Sequence, residues 1–197
     1  LVADPHVSQY RLTAHLGLAV LIYAYMLWVA FGLLRPAPVA INSRAKRFAP
    51  WSVVLVGLLF CMILSGGLVA GTRAGLAYNT WPLMGTSFIP AGLYSTSPAW
   101  LAMFEDITTI QFNHRMFAYL LVALITFFSW RVYRADISRR SRLGAILLVA
   151  ALFIQVGLGI STLLLHVPVV VAAAHQGVAI LTLTAALYAS HSLIRHE

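Results

Sequence analysis

Leu143-Gly-Ala-Ile-Leu-Leu-Val-Ala-Ala-Leu-Phe-Ile154 runs for twelve residues without one charged or strongly polar side chain, and the apolar character continues to Leu165. An amphipathic helix of a soluble protein carries such residues on one stripe only. A hydrocarbon core about 30 Å thick takes about 20 residues to cross at a rise of about 1.5 Å each, and this run meets that length. Moving outward from it, four more stretches of the same kind appear, giving expected spans at 10–34, 51–74, 107–132, 143–165 and 169–194. The fold class expected is an all-α membrane protein with five transmembrane helices.

The composition agrees. Of 197 residues 61% are hydrophobic and 9% charged, and the mean hydropathy is +0.88, whereas a soluble domain has about 25% charged residues. A soluble globular domain is excluded, and so are disorder and fibrous repeats. The single cysteine, Cys61, can form neither an intrachain disulfide nor a thiolate metal cluster. The formal charge is +8, but the bases lie between the apolar runs, which points to a bilayer and not to nucleic acid.

The same bases set an orientation. Arg35, Arg44, Lys46 and Arg47 occupy 35–50 without an acid, and Arg131, Arg134, Arg139, Arg140 and Arg142 follow the third span with Asp136 alone against them. Both segments are expected on the cytoplasmic or matrix side, with the acidic 75–106 loop and the turn at His166 on the other side. The amino end is then outside and the carboxyl end, with Arg195, inside. Residue 1 is leucine, and no signal peptide precedes the first span. The expectation is that this is the later part of something larger. The 75–106 loop, rich in turn residues and aromatics, is expected to be an ordered cap on the outer surface.

A polar group inside hydrocarbon is a functional candidate. His15, His114 and His175 each fall five to seven residues inside a span that enters from the outer face, which places all three about 8–10 Å below that face. His6 and His166 belong to outer segments, and His191 and His196 to the inner end, so those four read as interfacial. The stretch Arg11-Leu-Thr-Ala-His15-Leu-Gly17-Leu-Ala-Val-Leu21 also aligns with Val171-Ala-Ala-Ala-His175-Gln-Gly177-Val-Ala-Ile-Leu181 at an offset of 160 residues. On this repeat, 1–34 ends an incomplete amino-terminal four-helix unit, 35–50 is an inner basic loop, and 51–197 is a complete four-helix unit.

Two imidazoles at one depth with no Cys, Asp or Glu near them do not make a zinc site. Haem iron needs only one or two axial imidazoles and an apolar slot between helices. Gly67 and Gly71 on the second span, and Gly157 and Gly159 on the fourth, are candidates to open that slot, the competing reading being close helix packing. Arg115, beside His114, and Arg11, one turn above His15, are candidates for haem propionates or for lipid phosphates.

These residues together resemble a known family. Tyr10-Arg-Leu-Thr-Ala-His15, the stretch from Gly66 through Arg73 and Tyr78 to Gly85, Gln111-Phe-Asn-His114-Arg115, Gln155 to Thr162, and Ala174-His175-Gln176 are similar to haem A synthase over nearly the whole chain. The resemblance implies a fold of eight helices in two pseudo-symmetric halves, of which this chain is helices four to eight. It implies oxidation of a haem O methyl group to formyl, giving haem A for terminal oxidases. His114 and His175 become ligands of a haem b, and His15 a ligand of the substrate haem and the one catalytic-site residue present. The family's other amino-half histidine and its glutamate have no counterpart here, so this chain alone is not expected to catalyse. The 75–106 loop lacks the cysteine pair of some bacterial members, which favours the mitochondrial or proteobacterial type, in the mitochondrial inner membrane or a bacterial plasma membrane. The partners implied are the bilayer, the missing amino-terminal half, and haem O synthase or oxidase assembly factors. The alternative kept from the residues is a noncatalytic b-type cytochrome relay or a structural subunit of a respiratory complex.

Overall fold

The computed structural model describes residues 8–34 and 43–194. Its long helices are α1 (Gln9–Leu33), α3 (Ala49–Gly71), α5 (Ile107–Arg134), α6 (Arg139–Leu164) and α7 (Val169–Ile194), with two single-turn helices, α2 (Ser43–Lys46) and α4 (Ala102–Glu105). Each long helix has 23 to 28 residues and a mean hydropathy of 1.6 to 2.6 over its most apolar window, enough to cross a bilayer. There is no strand among the described residues, only an isolated bridge between Met84 and Ser87. The chain is an all-α membrane protein with the five spans read from the sequence.

Local chemistry explains where the helices begin and end. The Asp106 side chain accepts from Thr109 N at 2.6 Å to cap α5, and the Ser138 hydroxyl accepts from Ser141 N at 3.1 Å to cap α6. That cap starts α6 four residues ahead of the apolar run, taking Arg139 to Arg142 into its first turn. A hydropathy window finds only the part of a helix that meets hydrocarbon, so the charged turn was invisible to it. Arg131 and Arg134 lie in the last turn of α5, where cations complement the helix dipole. The reversal from α6 to α7 is tight: His166 and Val167 take φ of 61° and 58°, Val167 N donates to Thr162 O at 2.8 Å, and Pro168 follows.

Helices α3, α5, α6 and α7 form a closed ring in which neighbours touch in that order and α7 returns to α3. Helix α5 therefore stands diagonally from α7. Helix α1 lies outside the ring against α3 and α7, where Gly17, Gly67 and Gly71 let backbones approach. A Cβ at Gly71 would sit 2.8 Å from Gln9 Cα, and one at Gly67 3.1 Å from Thr13 Oγ1.

The ring is packed unevenly along its length. Leu55 and Leu59 of α3, Leu121, Ile125 and Val132 of α5, Leu148 and Leu152 of α6, and Leu183 and Leu193 of α7 fill one half. In the other half α6 has no buried residue after Leu152 and α7 none before Thr182. Side chains of all four helices close one end of the bundle; at the end nearer the 72–106 loop the buried positions are those of α5, Thr109, Ile110, Gln111 and Arg115, and Gly67 of α3.

Candidate functional site

The half in which α6 and α7 bury no residue is the half that holds the histidines. His114 follows the start of α5 by seven residues, and His15 and His175 follow the starts of α1 and α7 by six, so the three share a depth of about 9–10 Å from their helix ends. His114 and His175 project from the diagonal pair of helices, α5 and α7.

Each of these two rings is held from behind. His175 Nδ1 lies 3.2 Å from the backbone carbonyl of Gln155. A carbonyl only accepts, so Nδ1 carries the proton and Nε2 keeps its lone pair. His114 Nδ1 lies 3.0 Å from Ser65 Oγ. Glycine makes room for both: a Cβ at Gly159 would fall 2.8 Å from His175 Cε1, and one at Gly66 3.5 Å from His114 Cε1. An imidazole whose second nitrogen is engaged, in a space lined by glycine, is how protein metal and haem ligands are oriented. Among the described residues no cluster of three or more His, Cys, Asp or Glu could hold a bare metal ion. Two imidazoles on diagonal helices, at the end of the bundle where α6 and α7 bury no residue, fit an axially ligated macrocycle.

The structure redistributes the other candidates. Gly67 and Gly71 face α1, as described above, and a Cβ at Gly157 would meet nothing within 4 Å. Of the four glycines expected to line the slot, only Gly159 touches a histidine. Gly66, adjacent to Gly67 but turned about 100° from it, is the glycine of that stretch that meets His114.

Arg115 is buried and turned to the loop. Its Nη2 donates to Tyr78 O at 2.8 Å and its Nη1 to Thr80 O at 2.9 Å and Leu83 O at 3.2 Å. Gln111 Nε2 adds a bond to Tyr78 O at 3.1 Å. The turning 78–83 backbone leaves carbonyls that need a buried donor, and Arg115 supplies it. Asn79 Nδ2 ties the same segment to Leu163 O at 2.9 Å, and Tyr94 OH donates to Asn113 Oδ1 at 2.8 Å. The loop is an ordered cap over the histidine end.

His15 and Arg11 are exposed, four residues apart on one face of α1 that points away from the ring. Tyr10, beside them, donates its hydroxyl to Glu105. His166 is exposed at the α6–α7 turn, as expected. His191 is not interfacial: it is 1% exposed, with its ring 5.0 Å from Trp28 and 5.6 Å from Phe31, because α1 covers that end of α7. His6, Arg35, Arg195 and His196 lie outside the described residues.

The site is thus that of a capped four-helix membrane bundle with a back-supported histidine on each of two diagonal helices. The comparisons make this particular. The family described as cytochrome oxidase assembly protein, COX15-CtaA, matches residues 1–187, and the chain belongs to it. The chain is 50% identical to the Heme A synthase of Nitrosospira multiformis over 196 residues, covering 99% of this chain and 55% of that protein. It is 42% identical to human Heme A synthase COX15 over 195 residues, covering 97% of this chain and 47% of the relative. For the Heme A synthase of Rhodospirillum centenum the identity is 45%, over 96% and 50% of the two chains. The chain thus spans about half the length of the curated relatives it matches. No solved structure matches.

Proposed function

We propose that this chain is the haem b-binding part of a haem A synthase, with His114 and His175 as the two axial ligands. The observation that carries the reading is the pair of imidazoles on diagonal helices, each oriented through Nδ1 and each seated near a glycine. The relatives named Heme A synthase support the reaction class, oxidation of a haem O methyl group to the formyl group of haem A. A bis-imidazole haem, when bound, supplies one-electron transfer.

The chain's own groups have separable tasks. Gln155 O fixes the His175 tautomer, Ser65 Oγ orients His114, and Gly66 and Gly159 give the rings room. Arg115 and Gln111 hold the 78–83 segment over the site and limit water entry. His15, with Arg11 beside it, faces out of the ring and serves a second, substrate-haem site. In this reading 1–34 ends a preceding helical unit, 51–197 is the complete one, and the remaining groups of the substrate site come from the other half of the full-length protein. The positive-inside pattern supports an orientation with the histidine end outside, in a mitochondrial inner or bacterial plasma membrane. Haem O synthase and oxidase assembly factors are the partners that fit this role.

The test is the visible spectrum of the purified full-length protein with pyridine haemochrome analysis. His114→Ala and His175→Ala are each expected to lose the low-spin haem b signal. His15→Ala is expected to keep it and abolish haem A formation. An unchanged low-spin spectrum in both of the first two variants overturns the assignment.

A further inference from the structure

Across the ring from α1, the seam between α5 and α6 carries an apolar groove of about 460 Å³ lined by Val122, Ala123, Thr126, Phe127, Trp130 and Phe153. Positions 123, 126, 127 and 130 fall on one stripe of α5, and Arg134 is the next position on it, one turn beyond Trp130. The Arg131 guanidinium sits 5.8 Å from the centroid of the Phe127 ring. Arg131 and Arg134 are both exposed. The groove therefore has an apolar floor and a cationic end, in a region, 131–142, with five arginines and one acid.

That pairing selects an amphiphile. The arginines mark the level of the headgroups, Trp130 stands where interfacial tryptophans concentrate, and the stripe from 122 to 130 runs about 12 Å from there into the hydrocarbon. An acyl chain hanging from a phosphate at the arginines lies along the groove in the direction the bilayer already imposes. A protein packed on the exposed face of α1 would not reach this seam, which is on the far side of the ring. Basic pockets between transmembrane helices are sites for anionic headgroups.

We propose that the α5–α6 groove binds one anionic phospholipid, with an acyl chain against Ala123, Phe127 and Phe153 and its phosphate on Arg131 and Arg134. The site is separate from the histidines, and its occupancy does not depend on the haem reading.

The experiment uses the full-length protein in detergent, equilibrated with equal amounts of phosphatidylglycerol and phosphatidylcholine. Native mass spectrometry counts the lipids retained per chain, on species that elute like the wild type. One phosphatidylglycerol is expected to be retained preferentially. Replacing both arginines, Arg131→Gln with Arg134→Gln, is expected to lower its retention about 30-fold, at about five- to sixfold per base. Ala123→Trp, which fills the groove and leaves the charges, is expected to lower it as well, so misfolding of one variant leaves the other to decide. Arg47→Gln, an exposed base on the other basic segment, is expected to leave it unchanged. Equal retention of the two lipids overturns the proposal. An equal loss in Arg47→Gln does so too, since it would mean a general surface potential. Undiminished retention in Ala123→Trp would reduce the site to charge without a groove. A dimer mass that Ala123→Trp abolishes would make a second copy the occupant.

Discussion

Helices α1 and α7 carry the same short motif, Ala14-His15-Leu16-Gly17 and Ala174-His175-Gln176-Gly177, and use it in opposite senses. On α7 the histidine faces the ring, where its ring carbon meets Gly159, and a Cβ at Gly177 would meet nothing within 4 Å. On α1 the glycine faces the ring, where a Cβ would come within 2.9 Å of Leu64 Cδ2, and the histidine is exposed. Two residues apart on a helix are about 200° apart around its axis, so a helix that packs on its glycine shows its histidine outward. The motif sets the depth of the imidazole. The neighbouring helix decides what the imidazole meets, and on α1 it leaves the imidazole exposed.

The largest expected effect breaks this contrast at the α7 seat. Gly159→Val puts a branched carbon where the His175 ring lies, so the ring must turn and its 3.2 Å bond to Gln155 O is lost. The low-spin haem b signal is expected to fall as far as in His175→Ala, read from the reduced-minus-oxidised spectrum. A Gly159→Val protein with the full signal would mean that the seat does not position the ligand.

A middle-sized effect sharpens the contrast on the glycine faces. Gly17→Leu overpacks the α1–α3 contact and is expected to cost about 1–3 kcal/mol. Gly177→Leu, facing open space, is expected to stay within about 0.5 kcal/mol. Thermal unfolding of the full-length protein in detergent separates the two. Equal losses would mean that the Gly177 face is covered by the part of the protein that precedes α1.

The sequence made the spans and the histidine depths legible, because both depend on periodicity and length along one chain. It did not resolve which glycines meet which helix. Gly66 and Gly67 are equivalent in a sequence and point to different neighbours in the ring, one to His114 and the other to Thr13. Arg115 was legible as a cation beside His114 but not as a clamp on the loop, since its partners are backbone carbonyls 32 to 37 residues away. His191 was misread as interfacial for a similar reason: the cover over it comes from Trp28 and Phe31, on a helix at the other end of the chain. What local pattern cannot carry is the identity of a distant neighbour.

The smallest expected effect compares the two ligands with each other. His175 leans on a backbone carbonyl that no side-chain replacement removes, whereas His114 leans on Ser65 Oγ at 3.0 Å, which one substitution deletes. Iron ligation through Nε2 requires the proton on Nδ1, so Ser65 accepts that bond. An accepted bond enriches the imidazole in electrons and favours the oxidised iron, so its loss raises the reduction potential. One hydrogen bond is worth about 0.5–1.5 kcal/mol, and a tenfold change in a one-electron equilibrium is about 59 mV, so Ser65→Ala is expected to raise the midpoint by about 20–60 mV. The low-spin spectrum should persist, and Ser65→Thr, which keeps the hydroxyl, should return the potential toward the wild-type value. Potentiometric titration of the three proteins decides it. A retained spectrum with an unmoved potential would leave Ser65 a packing residue and make the two histidines equivalent in everything but the helix that carries them.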